Sequence, residues 1–188
     1  MAIRRPGGNL GTIPASVIRH MKTLTHLTIG VLAFVSASLA LVAADTAKSV
    51  SHGDKTFVEK AAKGGAEEVA ISQAALPHLT SADTRMFASM MVSDHTAANM
   101  ALTTLANQKS ITLPTKQPDV DKWNKADSKH FDEDYINTMV KDHEDAVELF
   151  TKASKKSDDA DLQAFATKTL PTLQAHLEKA KSLKAALK

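Results

Sequence analysis

The chain has 188 residues, which is enough for one domain with a sizeable core. It contains no cysteine, which excludes disulfides, thiolate metal sites and a lipid anchor on an N-terminal cysteine. Its 23 basic and 21 acidic residues nearly balance, and the first 44 residues contain four of the basic ones and no acid. The remainder is therefore slightly acidic, which argues against nucleic acid as a partner. Few aromatic residues and many alanines, leucines and lysines favour helix over strand.

The first 44 residues are typical of an export leader rather than of a folded domain. From Met21, a single lysine is followed by an apolar run over about 27–42 and by small residues up to Ala44. This order predicts a secretory signal peptide over 21–44, cleaved after Ala44. An uncleaved anchor is the alternative, because the apolar run is nearly long enough to span a bilayer. We expect a periplasmic protein without a membrane span after cleavage, and association with the outer membrane stays open.

Residues 1–20 contain proline, glycine and scattered charges without any periodicity. They also precede the place where a signal peptide normally starts. We therefore predict that Met21 is the true start and that 1–20 is a mis-assigned extension. The mature chain would then consist of a flexible segment, 45–53, and a single domain over 54–188.

Apolar residues recur with helical spacing in four stretches of the mature chain. They predict four helices, α1 to α4, at about 54–76, 81–109, 131–155 and 159–187. The pair Gly64-Gly65 either weakens α1 or allows another helix to approach it closely. Pro171 lies inside α4 and predicts a kink near Thr167.

The lengths of the connections predict how these helices are arranged. Short turns join α1 to α2 and α3 to α4, so each pair should form an antiparallel hairpin. The connection between α2 and α3 has 20 residues, with two prolines and the only tryptophan, Trp123. Extended, it reaches about 66 Å, whereas a helix of about 25 residues is about 37 Å long. It can therefore return along the bundle, which predicts an all-α, ferritin-like four-helix bundle with a long crossover pinned by Trp123.

One short pattern occurs twice in the predicted helices. Phe87–His95 reads FASMMVSDH and Tyr135–His143 reads YINTMVKDH, 48 positions apart. Both stretches run from an aromatic residue through Met-Val to an Asp-His pair. Repeated helix packing explains the Met and the Val, but it does not explain the repeated Asp-His.

The predicted topology brings one polar side chain from each helix to a similar depth in the bundle. At about 1.5 Å per residue, all four lie about 16 to 22 Å from the same end. These residues are Glu68, His95, His143 and His176. Imidazole and carboxylate bind zinc, copper, iron or manganese, and four-helix bundles hold such ions in their cores. The four residues are therefore a candidate metal site, with Asp94 and Asp142 in supporting positions.

A hydrogen-bonded polar layer without metal explains the same residues, and we rank it slightly ahead. Asp94 and Asp142 would then belong to this layer. A catalytic di-iron site is disfavoured, because it needs Glu-x-x-His on two helices. Here the residue three before each histidine is Val92, Val140 or Leu173. The chain also lacks the order of a nucleophilic triad and a phosphate-binding loop, so we expect a protein that is not an enzyme.

Several stretches together resemble the bacterial exported family called domain of unknown function 4142. They read FVEKAAKGGAEEVAISQAAL, FASMMVSDHTAANMAL, MVKDH and TLPTLQAHLEKAKSL. The resemblance covers about 54–186 and implies a ferritin-like bundle. It picks out the six candidate residues above together with Pro171. The chain departs from the family at Ala70, where members tend to carry a second glutamate, and at Pro77. Family members are often labelled outer membrane proteins, but the family implies no biochemical activity.

Three classes of function follow from these observations. The first is a non-enzymatic envelope or stress-related binding protein, which acts through an envelope protein partner or as a homodimer. The second is a periplasmic metal-binding protein that uses Glu68, His95, His143 and His176 for storage, sensing or protection. The third is a ferritin-type oxidase, against which the shortage of core carboxylates argues.

Overall fold

The computed structural model describes residues 49–125 and 129–187. The secondary structure of this part consists of four helices, α1 His52–Ala75, α2 Ala82–Gln108, α3 Phe131–Lys156 and α4 Ala160–Ala186. Their ends lie within two residues of the predicted ones. None of these helices is apolar over a length that could cross a membrane. The predicted extension, the leader and its cleavage point lie outside the described residues.

Local capping explains where the helices begin. Ser51 accepts a hydrogen bond from the backbone N–H of Asp54, and Ser81 accepts one from Thr84 in the same way. Asp159 caps α4 by accepting hydrogen bonds from two backbone N–H groups. The cap at Ser51 also starts α1 earlier than expected, so the last two residues of the segment predicted as flexible, 45–53, are helical.

Contacts at the two ends of the bundle define its topology. The hairpins α1–α2 and α3–α4 pack together through α1–α3 and α2–α4 contacts. Asp132, at the start of α3, accepts hydrogen bonds from the backbone N–H groups of Thr80 and Ser81 in the α1–α2 turn. Ser157, just after α3, donates to Asp54 at the start of α1. α3 is therefore antiparallel to α1 and parallel to α2, which confirms the ferritin-like bundle with a long crossover.

The crossover is held at both ends, as the prediction for Trp123 requires. The Trp123 side chain is buried, and its ring lies edge-on to Phe131 and Tyr135, with centroid distances of 5.9 and 6.0 Å. At the other end, Ile111 is buried and its N–H donates to the Ala106 carbonyl. Both ends of the crossover thus contribute to the core.

The core consists of two apolar clusters, one in each half of the bundle. The upper cluster, near the α1–α2 turn, includes Leu79, Phe87, Met91, Trp123, Tyr135, Met139 and Leu177. The lower cluster includes Phe57, Leu102, Ile111, Phe150, Leu162 and Leu173. On every helix, one buried residue with a titratable side chain lies between the two clusters: Glu68, His95, His143 or His176. The polar residues therefore form a layer across the middle of the bundle.

Pro171 does not end α4, which continues from Ala160 to Ala186. Pro171 and Thr167 are both exposed. Water can therefore hydrogen-bond the Thr167 carbonyl, which loses its helical donor at the proline. The kink near Thr167 stays a prediction.

The two adjacent glycines of α1 have different surroundings. A Cβ atom on Gly65 would overlap the side chain of Asn99 on α2. A Cβ atom on Gly64 would have no neighbour within 4 Å. Gly65 therefore allows α1 and α2 to approach closely, whereas no contact requires a glycine at position 64.

We predict that Gly64→Ala raises the free energy of unfolding by about 0.5–1 kcal/mol, because alanine loses less conformational entropy in a helix. Gly65→Ala should raise the free energy of unfolding less than Gly64→Ala does, or should lower it, because Asn99 must move away from the added methyl group. Urea unfolding of both variants measures the difference. Equal stabilisation by both substitutions would contradict the close approach of α1 and α2 at Gly65.

Candidate metal centre

Four buried polar side chains meet between the upper and lower clusters, one from each helix. Glu68, His95, His143 and His176 are each at most 5% exposed. Each lies three or four residues from another buried residue of its own helix, so helical periodicity turns it inward. The structure therefore brings together the four residues that the sequence placed at one depth.

The carboxylate of Glu68 lies against two of the imidazoles. Its Oε2 atom is 2.8 Å from His95 Nδ1, and its Oε1 atom is 3.1 Å from His143 Nδ1. His143 Nδ1 is also 2.9 Å from the Met139 carbonyl oxygen and directs its N–H there. Because carboxylate and carbonyl oxygens only accept hydrogen bonds, both Nδ1 atoms carry the proton. Oε1 of Glu68 is left without a hydrogen-bond donor among the described residues.

His176 is oriented by an aspartate from the neighbouring helix. Its Nε2 atom lies 3.0 Å from Asp94 Oδ2, so Nε2 carries the proton and donates to the carboxylate. The other nitrogen, Nδ1, lies 3.4 Å from His143 Nε2. In neutral imidazoles both of these nitrogens present lone pairs, so no proton lies between them.

The unprotonated nitrogens of His143 and His176 therefore turn toward each other, and the His95 ring lies beside both. The ring centroids of His95, His143 and His176 are 5.4 Å apart in every pair. One ring nitrogen from each histidine lies within 4.8 Å of the other two, and within the described part this is the group whose ligand atoms suit a metal ion. His95 Nε2 is buried and has no hydrogen-bond partner there. The cluster thus contains three imidazoles with unprotonated nitrogens, and no donor among the described residues bonds to His95 Nε2.

The surroundings keep two of the imidazoles neutral. Burial lowers the pKa of His143 and of His176, and the attraction of nearby carboxylates opposes it only in part. Burial by itself would raise the pKa of Glu68, but the hydrogen bond from His95 and the attraction of the imidazoles lower it overall. The layer therefore combines an ionised carboxylate with the imidazoles of His143 and His176, which keep their lone pairs near neutral pH.

The two Asp-His pairs of the repeat have different partners. His95 and His143 both turn inward, and Asp94 bonds to His176 across the α2–α4 contact. Asp142 is half-buried and lies near Glu68 across the α1–α3 contact. Burial and repulsion by Glu68 raise the pKa of Asp142 to about 6. One aspartate of the repeat is thus hydrogen-bonded to a histidine, and the other lies near a glutamate that repels it.

The sequence does not mark the Met139 carbonyl, which receives the N–H of His143. A backbone oxygen four residues before a buried histidine has no sequence signal beyond the helix itself. The sequence also does not reveal the cavity of about 520 Å³ beside the layer, which all four helices line. The exposed residues at the rim of that cavity follow no apolar periodicity from which it could be predicted.

Comparison with known proteins supplies the family and the fold. The family model described as domain of unknown function DUF4142 matches residues 40–183, and the chain belongs to this family. No curated protein matches the chain.

Two solved structures are similar. A DUF305 fragment from Deinococcus radiodurans has a TM-score of 0.64 and 10% identity, over 74% of this chain and 99% of that one. CopM in the Cu(I)-bound form has a TM-score of 0.62 and 15% identity, over 71% of this chain and 96% of that one. At these identities the likeness supports the helical-bundle fold alone.

We predict that Asp142→Asn raises the free energy of unfolding at pH 7 by about 1 kcal/mol, after allowance for solvent screening at this half-buried position. The carboxyl group ionises near its ordinary pKa when unfolded and at about 6 when folded. Its ionisation therefore destabilises the fold as the pH rises from about 4 to 6. Urea unfolding at pH 7 and pH 4 should show the gain at pH 7 and little at pH 4.

Asp145→Asn is the matched control, because Asp145 lies on the same helix with its side chain 70% exposed. It should change the stability much less than Asp142→Asn at pH 7. Equal effects of the two substitutions would show that Asp142 is not destabilised by burial and by Glu68.

Proposed function

We propose that this chain is an exported periplasmic protein that binds one transition-metal ion through His95, His143 and His176. One observation carries the proposal: the hydrogen bonds of the outer nitrogens leave one lone pair on each of three buried imidazoles that lie side by side. Neutral imidazole is a ligand for copper and zinc. Export rests on the leader predicted over 21–44.

The spacing of the ring nitrogens fits an ion of this kind. Bonds of about 2.0–2.1 Å from a tetrahedral ion place two nitrogens about 3.4 Å apart. His143 Nε2 and His176 Nδ1 are 3.4 Å apart. The three ligand nitrogens lie within 4.8 Å of one another, so the widest pair must close by up to about 1.4 Å, which rotation of an imidazole ring can supply. Two ligands are therefore in place, and the third needs a small adjustment.

The groups behind the imidazoles match the usual support of metal-binding histidines. Such histidines donate their second N–H to a carboxylate or a backbone carbonyl, which orients the ring and makes the free nitrogen more basic. Here Glu68, Asp94 and the Met139 carbonyl accept these N–H groups. In this proposal Glu68 lies on the N–H side of the rings, so it orients them and offsets the charge of the ion. It is not itself a ligand.

A polar layer without metal is the second candidate, and its support is the hydrogen bonding of all three outer nitrogens. The inner nitrogens argue against it. Two lone pairs face each other at 3.4 Å, and His95 Nε2 is buried without a partner. An unpaired buried polar group costs about 1–3 kcal/mol. A bound ion would be the common partner that removes this cost, so the metal site explains more of the geometry.

Copper is the ion that we expect to bind most tightly, followed by zinc. Affinities of nitrogen sites rise along the first-row metals to copper and then fall to zinc, which places iron and manganese lower. CopM, which has a similar fold, was solved in a Cu(I)-bound form, and this supports copper as the ion to test first. The chain would then store, sense or sequester copper in the cell envelope, without catalysing a reaction.

We predict that the protein, purified without an affinity tag and exposed to copper, retains one equivalent of metal after desalting. His143→Ala should lose it, because the central lone pair is removed, whereas His52→Ala should keep it, because His52 is exposed at the start of α1. Elemental analysis measures the stoichiometry. No bound metal after exposure to copper, zinc, iron and manganese would leave the polar layer as the explanation.

Glu68→Gln should weaken metal affinity about 10–100-fold while leaving one equivalent bound at saturation, because Glu68 orients His95 and supplies negative charge. Competition with a chromophoric chelator measures the change. Glu67→Gln is the control, because the neighbouring side chain is 41% exposed and pairs with Lys63. Loss of stoichiometric binding in Glu68→Gln would make Glu68 a ligand instead.

A further inference from the structure

A cavity of about 520 Å³ lies between the two hairpins, beside the polar layer. It extends from the layer into the lower half of the bundle. Its apolar walls are formed by Ala61, Leu102, Ala146, Phe150, Phe165 and Leu173. Cavities that hold small organic molecules in proteins have volumes of about 300–1,000 Å³ and similar apolar walls. The size and lining therefore suit a small ligand, whereas a single ion needs far less space.

A buried carboxylate forms the polar end of this cavity. Glu68 lines it and is only 4% exposed, yet its Oε1 atom has no hydrogen-bond donor within the described residues. Asp142, half-buried, lines the same cavity. A buried carboxylate is costly unless a positive charge or a hydrogen-bond donor offsets it, so this end of the cavity is suited to a cationic ligand.

The charges around the cavity select the sign of such a ligand. Its acidic lining residues are Glu67, Glu68, Asp94, Asp142, Asp145 and Glu148, and its basic ones are Lys60 and Lys152. The excess of carboxylates repels anions and attracts cations. A carboxylic acid or a phosphate is therefore disfavoured as the occupant.

We propose that this cavity binds a small amphipathic amine. The positive charge of the protonated ligand nitrogen lies at the end of the cavity lined by the carboxylates of Glu68 and Asp142. Its short apolar body packs against Leu102, Phe165 and Leu173. This site uses the charge of the carboxylates and not the lone pairs of the histidines, so it does not depend on a bound metal ion.

Isothermal titration calorimetry on the whole, EDTA-treated protein tests the proposal with three probes of equal length. Hexylamine should bind saturably at one site, hexanol at least tenfold more weakly, and hexanoate not measurably. Hexylamine affinity should also fall at least tenfold in Glu68→Gln. Equal affinities for hexylamine and hexanoate would overturn the proposal, as would the absence of any hexylamine binding.

Substitutions at Gly64 test whether the amine binds in this cavity. Gly64 lines the cavity, and a side chain there meets nothing within 4 Å at its Cβ atom. Gly64→Phe should fill the space and lower hexylamine affinity at least tenfold, whereas Gly64→Ala should leave it unchanged. Ala146→Leu, from the opposite wall, is a second filling variant if Gly64→Phe does not fold.

Unchanged hexylamine binding in a folded filling variant would show that the amine binds elsewhere and would overturn the proposal. Because the protein is metal-free in these titrations, their outcome is independent of whether copper binds to the histidines. Copper stoichiometry measured separately on Gly64→Phe should remain one equivalent.

Discussion

The carboxylate of Glu68 is the group on which the centre of this bundle depends. It is 4% exposed, and an ionised carboxylate at such a place is costly unless it is hydrogen-bonded. The His95 N–H, 2.8 Å away, supplies that bond. Because Glu68 accepts the N–H of His95 Nδ1, the other nitrogen of that ring, Nε2, is the one left with a lone pair on the far side of the ring. One buried charge thus sets the chemistry that the imidazoles present to one another.

The polar layer also controls how the four helices are aligned. The upper and lower clusters lie on either side of it on every helix. Sliding one helix by a turn, about 5.4 Å, would move a polar side chain into an apolar cluster and an apolar one into the layer. The contacts of Asp132 and Ser157 at the two ends agree with the same alignment. The layer therefore provides specificity of packing as well as a candidate site.

The unequal partners of the repeated Asp-His pairs give the layer two different sides. On the α2–α4 side, Asp94 bonds to His176, which completes the set of three imidazoles. On the α1–α3 side, Asp142 lies near Glu68, and the raised pKa of Asp142 reflects its burial first and that crowding of carboxylates second. The first side favours a metal ion, because it supplies nitrogen lone pairs. The second side favours a cation with hydrogen-bond donors. A duplicated motif thus supports two distinct proposals.

The sequence by itself determined the helices, their order and the depth of the four polar residues. Helical periodicity and caps act between residues three or four apart, so the helix ends were predicted within two residues. The length of the crossover was enough to decide the parallel arrangement of α2 and α3. The leader over 21–44 and the start at Met21 stay predictions.

Only the tertiary structure decided which nitrogens face the centre, because each proton position depends on an acceptor that the sequence does not mark. Two of these acceptors, Glu68 and Asp94, lie on other helices, and the third is the Met139 carbonyl. The same holds for the difference between Asp94 and Asp142, which carry the same motif but meet different neighbours. The cavity also depends on how the two hairpins pack. These features arise from contacts between residues far apart in the chain, whereas the helical pattern arises from residues close together.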